Sequence, residues 1–251
     1  MSKPFIVACI PALNEENTIG YVVRRTLKYV DRVIVVDDLS MDNTALFARR
    51  AGAWVIRLKK RRRVGGVIKA GISYVKRLNP DVVVILDADG QHNPDEIPKL
   101  LNVVLEGHAD WVIGSRYLHN VRNFTSHNWV GNWFFRQKKN IFLKGLGNWF
   151  FSKLVSVLAR HYITDTMSGF KVLSREAFYN LDLKFDYAYC PEMAINLCLE
   201  GYRLSEVPIQ SRTRLKGESK VVINVLPYGV KQLGIIFFTY LRKSIWEFSK
   251  K

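Results

Sequence analysis

The sequence predicts an α/β fold: a single domain with a mostly parallel central sheet, flanking helices and an amphipathic C-terminal helical tail. Three observations predict it. Short β-branched apolar runs alternate with helix-length segments from the N-terminus onward, the pattern of parallel strands joined by right-handed crossovers. The run Val82-Val83-Val84-Ile85-Leu86, bounded by Pro80 and Gly90, is apolar on both faces, as a buried parallel strand requires. A chain of 251 residues that is 48% hydrophobic can fill one large α/β core.

The elements follow in order. Residues 5–10 form a first strand, and Asn17 or Thr18 can cap a helix running to about residue 29. Residues 33–36 form a second strand, and Asp42 or Asn43 can cap a helix over residues 44–50. Gly52 closes that helix and residues 53–57 make a third strand. A basic stretch, Lys59-Lys60-Arg61-Arg62-Arg63, precedes Gly65-Gly66 and a helix over about 67–77; glycines at a helix start could cradle phosphate, or the stretch is a solvated loop. The buried strand over 82–86 comes next, and a helix starting at Pro94 runs to about 106. Residues 110–116 are a strand and turn; Ser174 caps a short helix to about 180; Pro191 and Gly201 frame another. A strand over 203–209 is confined to an edge or end position by Pro208. Residues 212–220 read as a mobile basic loop, which divides a main domain over 1–220 from a tail over 221–251.

Composition narrows the partners. Lys and Arg total 38 against 22 Asp and Glu, a net charge of +16, so an acidic partner is expected. Nucleic acid, an anionic membrane surface and a phosphorylated substrate all qualify. Cys9, Cys190 and Cys198 are scattered without CxxC spacing, which argues against a disulfide framework or a zinc site and fits a reducing cytosol. The N-terminus runs into a strand without a signal-peptide pattern, and apolar stretches after Lys220 are broken by Lys231 and Arg242, so no spanning helix is expected. Between His119 and His161, aromatics such as Trp129, Trp133, Phe142 and Trp149 interleave with Arg136, Lys138, Lys144 and Lys153. That pattern suits a membrane interface, stacking on single-stranded nucleic acid, or a helix packed in the core.

The chemistry concentrates in Asp87-Ala88-Asp89-Gly90-Gln91, at the carboxyl end of the central strand, where open α/β sheets bind ligands. Side chains alternate along an extended chain, so Asp87 and Asp89 lie on one side. Two hard oxygen donors can hold Mg²⁺ or Mn²⁺ and leave positions for phosphate oxygens. A turn rich in Asp and Gly is the structural alternative. Acidic clusters after the first two strands should share the same edge, which favours function. Neither GxGxxG nor a P-loop is present. Arg116 is placed to meet a diphosphate with its planar fork. An Asp-X-Asp-Gly also occurs in phosphatases with an aspartyl nucleophile, but there it belongs near the first strand. A basic nucleic-acid-binding module would explain the charge and the aromatics but not the acidic edge, which would repel a polyanion.

Five stretches in order carry a resemblance: residues 11–16 (PALNEE), 36–44 (VDDLSMDNT), 87–92 (DADGQH), 114–116 (GSR) and 165–171 (DTMSGFK). Together they resemble family 2 inverting glycosyltransferases of the Rossmann-like GT-A fold, and more closely the dolichyl-phosphate sugar synthases. Residues 206–209 and 214–220 look like that subgroup. The resemblance implies that Pro11, Leu13, Asn14 and Glu15 border base and ribose, and that Val36 and Asp38 contact the nucleoside. Asp87, Asp89 and Gln91 would hold Mg²⁺ or Mn²⁺ on the sugar-nucleotide diphosphate, with Ala88 also against the donor. Arg116, Arg214 and Lys220 would bind phosphates of donor or acceptor, and Asp89 and Arg116 would carry the catalytic roles. The implied donor is GDP-mannose or a UDP-sugar, and the acceptor a polyprenyl or dolichyl phosphate; a soluble or polysaccharide acceptor is the alternative. The implied location is cytoplasmic, peripheral on an anionic membrane, with no nucleic acid as partner.

Overall fold

The computed structural model describes residues 3–118, 139–210 and 225–248. Among these residues, seven strands form one sheet in the order β3-β2-β1-β4-β6-β5-β7. The strands are β1 (Ile6–Ala12), β2 (Arg32–Asp37), β3 (Trp54–Arg57), β4 (Val82–Ile85), β5 (Trp111–Ser115), β6 (Lys171–Ser174) and β7 (Leu204–Pro208). The pairs β1–β2, β1–β4, β2–β3 and β5–β7 are parallel. β6 runs antiparallel to both β4 and β5. It is inserted between them, so the chain reaches β6 from the same edge at which β4 and β5 end: Ile85 and Ile113 both lie opposite Lys171. The strand over 203–209 occupies an edge as expected, with Pro208 last in its register opposite Ser115.

The helices are α1 (Ile19–Thr26), α2 (Thr44–Arg50), α3 (Arg63–Lys76), α4 (Ile97–Leu105), α5 (Lys139–Leu158), α6 (Arg175–Tyr179), α7 (Tyr189–Leu199) and α8 (Val225–Phe248). A short 3₁₀ turn, Pro94–Glu96, leads into α4. Strand residues alternate between two cores because the pleat has period two. Val7, Cys9, Ile34 and Val36 face the layer of α3, α5, α7 and α8. Ile6, Ala8, Ile10, Val33 and Val35 face α1, α2 and α4. Both faces are therefore covered, which is why β1, β2 and β4 read as continuous apolar runs.

Local chemistry explains most boundaries. Asp42, rather than Asn43, satisfies the start of α2: its carboxylate accepts from the Thr44 N–H at 3.0 Å. Ser174 caps α6 through the Ala177 N–H at 3.3 Å. The helix after the basic stretch starts at Arg63, four residues earlier than the expected 67, and this changes the role of Gly65 and Gly66. They lie inside α3, where a Cβ on Gly65 would fall 2.6 Å from the Asp186 carbonyl carbon and one on Gly66 would fall 2.9 Å from Asp186 Cγ. The Gly66 N–H donates to Asp186 O at 3.2 Å. The two glycines let α3 approach the 185–187 loop and do not form a phosphate cradle.

Gly71 has the same function against the sheet: a Cβ there would overlap Cys9 Sγ and lie 3.1 Å from Val36 Cγ2. Gly71→Ala is expected to destabilise the fold by about 1–3 kcal/mol, the usual range for overpacking a close-packed core. Chemical denaturation would show a lowered midpoint at unchanged slope.

Candidate active site

Because β1, β2, β4 and β5 point the same way, their carboxyl ends share one edge. The chain reverses strand order at β1, which has β2 on one side and β4 on the other, and ligands of open sheets bind at such a switch point. Leu13-Asn14-Glu15 leave β1 there, and Asp87-Ala88-Asp89 leave β4.

The β1 and β2 loops brace each other. Asn14 takes a left-handed φ of 48°, which Asn tolerates better than most residues. Its N–H donates to Ser40 Oγ at 2.9 Å and its Oδ1 accepts from the Met41 N–H at 2.8 Å. The Glu15 N–H donates to Thr44 Oγ1 at 2.7 Å, and its side chain is nearly buried beside Thr18. Asp37 is buried, accepting from Ser40 N–H at 3.1 Å and lying 3.4 Å from Arg57 Nε. Asp38 is almost fully covered as well: it accepts from the Arg62 N–H at 2.7 Å and from Arg61 Nε at 3.3 Å. Arg57 on β3 thus faces Asp37, and the basic stretch meets Asp38 through Arg61 and the Arg62 main chain. Pro11 lies within β1 opposite Val36. Val36 itself is fully buried, its side chain in the core with Cys9 and Ile68. Its side chain therefore does not line the edge where a nucleoside contact was expected.

Asp87 and Asp89 occupy the opposite wall. Asp87 keeps 35% of its side chain exposed and has Nε2 of the nearly buried His92 3.5 Å away. Burial pushes the Asp87 carboxyl up, but His92, Lys171 and Arg116 together outweigh it and hold the group below the ordinary carboxylate range. Gly169 packs directly on this carboxylate. Asp89 closes an Asx turn, its Oδ1 accepting from the Gln91 N–H at 3.0 Å, and Gly90 supplies the left-handed φ of 74°. Ala88 is buried in the core on the α4 side.

This donor set fits a divalent hard cation. Asp87, Asp89 and Gln91 offer only oxygen ligands, and among the described residues no group of three or more His, Cys, Asp and Glu side chains could enclose a metal. The protein would supply only a partial set, which phosphate oxygens and water could complete, as is usual for Mg²⁺ on nucleotides.

Arg116 does reach this edge, but not as a free cation. Its Nε and Nη2 donate to Asp165 Oδ2 and Oδ1 at 2.7 and 2.9 Å, and its backbone N–H adds a third bond at 3.1 Å. Asp165 is fully buried. Burial raises its carboxyl, yet the charge and hydrogen bonds of Arg116 outweigh this and keep it below its ordinary value. Asp165 and Thr164 in turn donate their backbone N–H groups to Glu206 on β7, at 3.1 and 2.9 Å. Lys171 is also fully buried at the start of β6, donating to the Ser168 carbonyl and lying 3.4 Å from Cys190 Sγ. The sequence did not single out Asp165, His92 or Lys171 for the site; the available signal was that His92 ends the 87–92 stretch and that Asp165 and Lys171 bound the 165–171 stretch. Arg214 and Lys220, expected to bind phosphate, lie outside the described residues, as do Trp129 and Trp133.

The sheet thus carries an Asp-X-Asp at its switch point and Arg116 at the same edge. Residues 7–181 match the family "Glycosyl transferase family 2", and the chain belongs to that family. It is 29% identical over 84% of its length to the UDP-N-acetylglucosamine–dolichyl-phosphate N-acetylglucosaminyltransferase of Methanococcus voltae, covering 87% of that protein. It is 29% identical over 90% of its length to the undecaprenyl-phosphate mannosyltransferase of Micrococcus luteus, covering 94% of it. Among solved structures, glucosyl-3-phosphoglycerate synthase from Mycobacterium tuberculosis with Mn²⁺, UDP and phosphoglyceric acid superposes with a TM-score of 0.70. The match covers 94% of this chain and 78% of that one at 19% identity, a likeness of fold. The protein is a glycosyltransferase.

Proposed function

We propose that this glycosyltransferase moves a sugar from a nucleoside diphosphate to a polyprenyl phosphate, with inversion at the anomeric carbon. The observation that carries the reading is the half-open Asp87 carboxylate beside Asp89, facing the braced Asn14–Glu15 loop across the switch point. A divalent metal bound by Asp87, Asp89 and Gln91 would neutralise the developing diphosphate charge. Asn14 and Glu15 would border the nucleoside, Asp38 and the Val36 main chain lying behind them. Arg116 would donate to a phosphate oxygen. A lipid phosphate is already an ionised nucleophile, so no strong general base is needed, and attack opposite the leaving group inverts the centre. Incubation with a panel of labelled GDP- and UDP-sugars, dolichyl phosphate and Mn²⁺ or Mg²⁺ is expected to give one labelled lipid, and chelation to abolish it. Product formed with retained anomeric configuration would overturn the mechanism.

The same reading places the protein on an anionic bilayer. Support comes from α8, which also sends Ile236 into the core. Its covered face carries buried Gln232 and Thr239 and nearly buried Lys243, while Phe237, Leu241 and Ile245 are 49%, 55% and 68% exposed. Trp149 and Val157 on α5 are exposed too. An apolar outer face suits an acyl boundary, and the net charge of +16 suits anionic headgroups. No helix among the described residues is long and apolar enough to cross a membrane, so the contact would lie along the interface. Phosphatidylglycerol vesicles at low salt should pellet the protein, and a Phe237→Glu/Leu241→Glu variant should stay in the supernatant. Equal pelleting of both would remove α8 from the membrane contact.

A further inference from the structure

We infer that Asp165, seated on Glu206, is a positioning residue that sets the guanidinium of Arg116 for phosphate contact. The inference rests on the transferase reading above and names how one of its phosphate ligands is controlled. Three donors of Arg116 converge on a single buried carboxylate, with bonds of 2.7, 2.9 and 3.1 Å. Such a fork-to-fork pair fixes the plane of the guanidinium as well as its distance. The segment that carries Asp165 is itself held at three points. The Asp165 backbone N–H and that of Thr164 are held by the two Glu206 oxygens. Thr164 Oγ1 lies 2.6 Å from Ser115 Oγ, the residue before Arg116. Asn148 Nδ2 on α5 is 3.5 Å from Asp165 Oδ1. Glu206 belongs to β7, in register with Ile113 of β5, so the strand paired with the one that leads into Arg116 carries the frame that orients it.

This geometry determines what Arg116 contributes. Its positive charge is matched by Asp165, so the pair adds little net charge to the edge. Two of its three guanidinium nitrogens are committed to Asp165, and Nη1 is the one without a bond to that carboxylate. Arg116 then acts as a directed donor whose 29% exposed side chain presents a fixed edge. Lysine, with one rotatable ammonium, could not keep both the Asp165 fork and a phosphate bond in this geometry.

A double-mutant cycle tests it. Arg116→Ala, Asp165→Asn and the double variant are compared by kcat/KM for lipid product and by Kd for UDP and GDP with Mn²⁺, a readout that does not depend on the acceptor. Asp165→Asn alone is expected to lower kcat/KM by about 10–100-fold, the range seen when a partner that orients a functional side chain is removed. The double variant should be no worse than Arg116→Ala, because Asp165 acts through Arg116. Losses that multiply, or an Asp165→Asn enzyme with wild-type kinetics, overturn the inference. If the Asp165 variant does not fold, Glu206→Gln, which places an amide against one of two backbone N–H groups, takes its place with the same expected non-additivity. A wrong acceptor appears separately, as wild-type protein that binds nucleotide but labels no lipid.

Discussion

Gly169→Ala is expected to lower transfer by about 10²-fold while leaving the protein folded. A methyl group at this position would lie 2.6 Å from Asp87 Cγ and 2.7 Å from its Oδ1, and would overlap Oδ2. Gly169 follows Ser168 in the loop that enters β6, and its neighbours give it no room to retreat. Phe170 is fully buried and its ring lies 5.6 Å from that of His92. The Phe170 N–H donates to Ser168 Oγ at 3.2 Å and Lys171 is bonded to the Ser168 carbonyl. The side with freedom is therefore Asp87, whose carboxylate is one-third exposed. It would swing away from Gly169, lose its place beside His92 and miss the metal position by about 1 Å, a displacement that can cost 10²-fold in rate. Mn²⁺ affinity measured by calorimetry should fall in parallel, and the thermal midpoint should fall only slightly. Unchanged Mn²⁺ affinity in this variant would show that Asp87 is not positioned by Gly169.

A second large effect is expected at Asp89, and two substitutions separate its structural and chemical contributions. Asp89→Asn keeps an oxygen that can accept the Gln91 N–H, so the Asx turn persists. It removes the charge that a divalent cation needs. Asp89→Ala removes both, adding a stability loss of about 1 kcal/mol for the missing hydrogen bond. Both should lose about 10³-fold or more in kcat/KM, since a cation on a developing phosphate charge supplies several kcal/mol. Near-equal activity losses alongside different melting points would assign the effect to metal binding. An Asp89→Asn enzyme with more than a tenth of wild-type activity would remove Asp89 from the metal site.

Much of this architecture was legible in the sequence because it is written locally. The strand at 82–86 announced itself through five apolar residues between Pro80 and Gly90, and covering both faces of the sheet requires that run. The shared edge followed from parallel connectivity. The paired carboxylates were visible because Asp87 and Asp89 are two residues apart. What could not be read depends on distant partners. Arg116 and Asp165 are 49 residues apart and Glu206 another 41, and no periodicity encodes a bond across strands. The antiparallel insertion of β6 between β4 and β5 is likewise a property of the assembled sheet. Arg61 and Arg62 were open to two readings, a phosphate cradle or a solvated loop, because an isolated basic stretch carries no sign of the acid it will meet; in the fold that acid is Asp38. Val36 lies inside the 36–44 stretch, but the pleat puts its side chain on the same core face as Ile34, and the strand ends one residue later at Asp37.

One competition measures the choice of acceptor. The protein is incubated with Mn²⁺ and the labelled nucleotide sugar that it turns over, together with equimolar dolichyl phosphate in detergent and 3-phosphoglycerate in the aqueous phase. Label is expected in the organic phase, released as free sugar by mild acid, with none on 3-phosphoglycerate; transfer to a polyprenyl phosphate requires this. Label confined to a water-soluble product would contradict it.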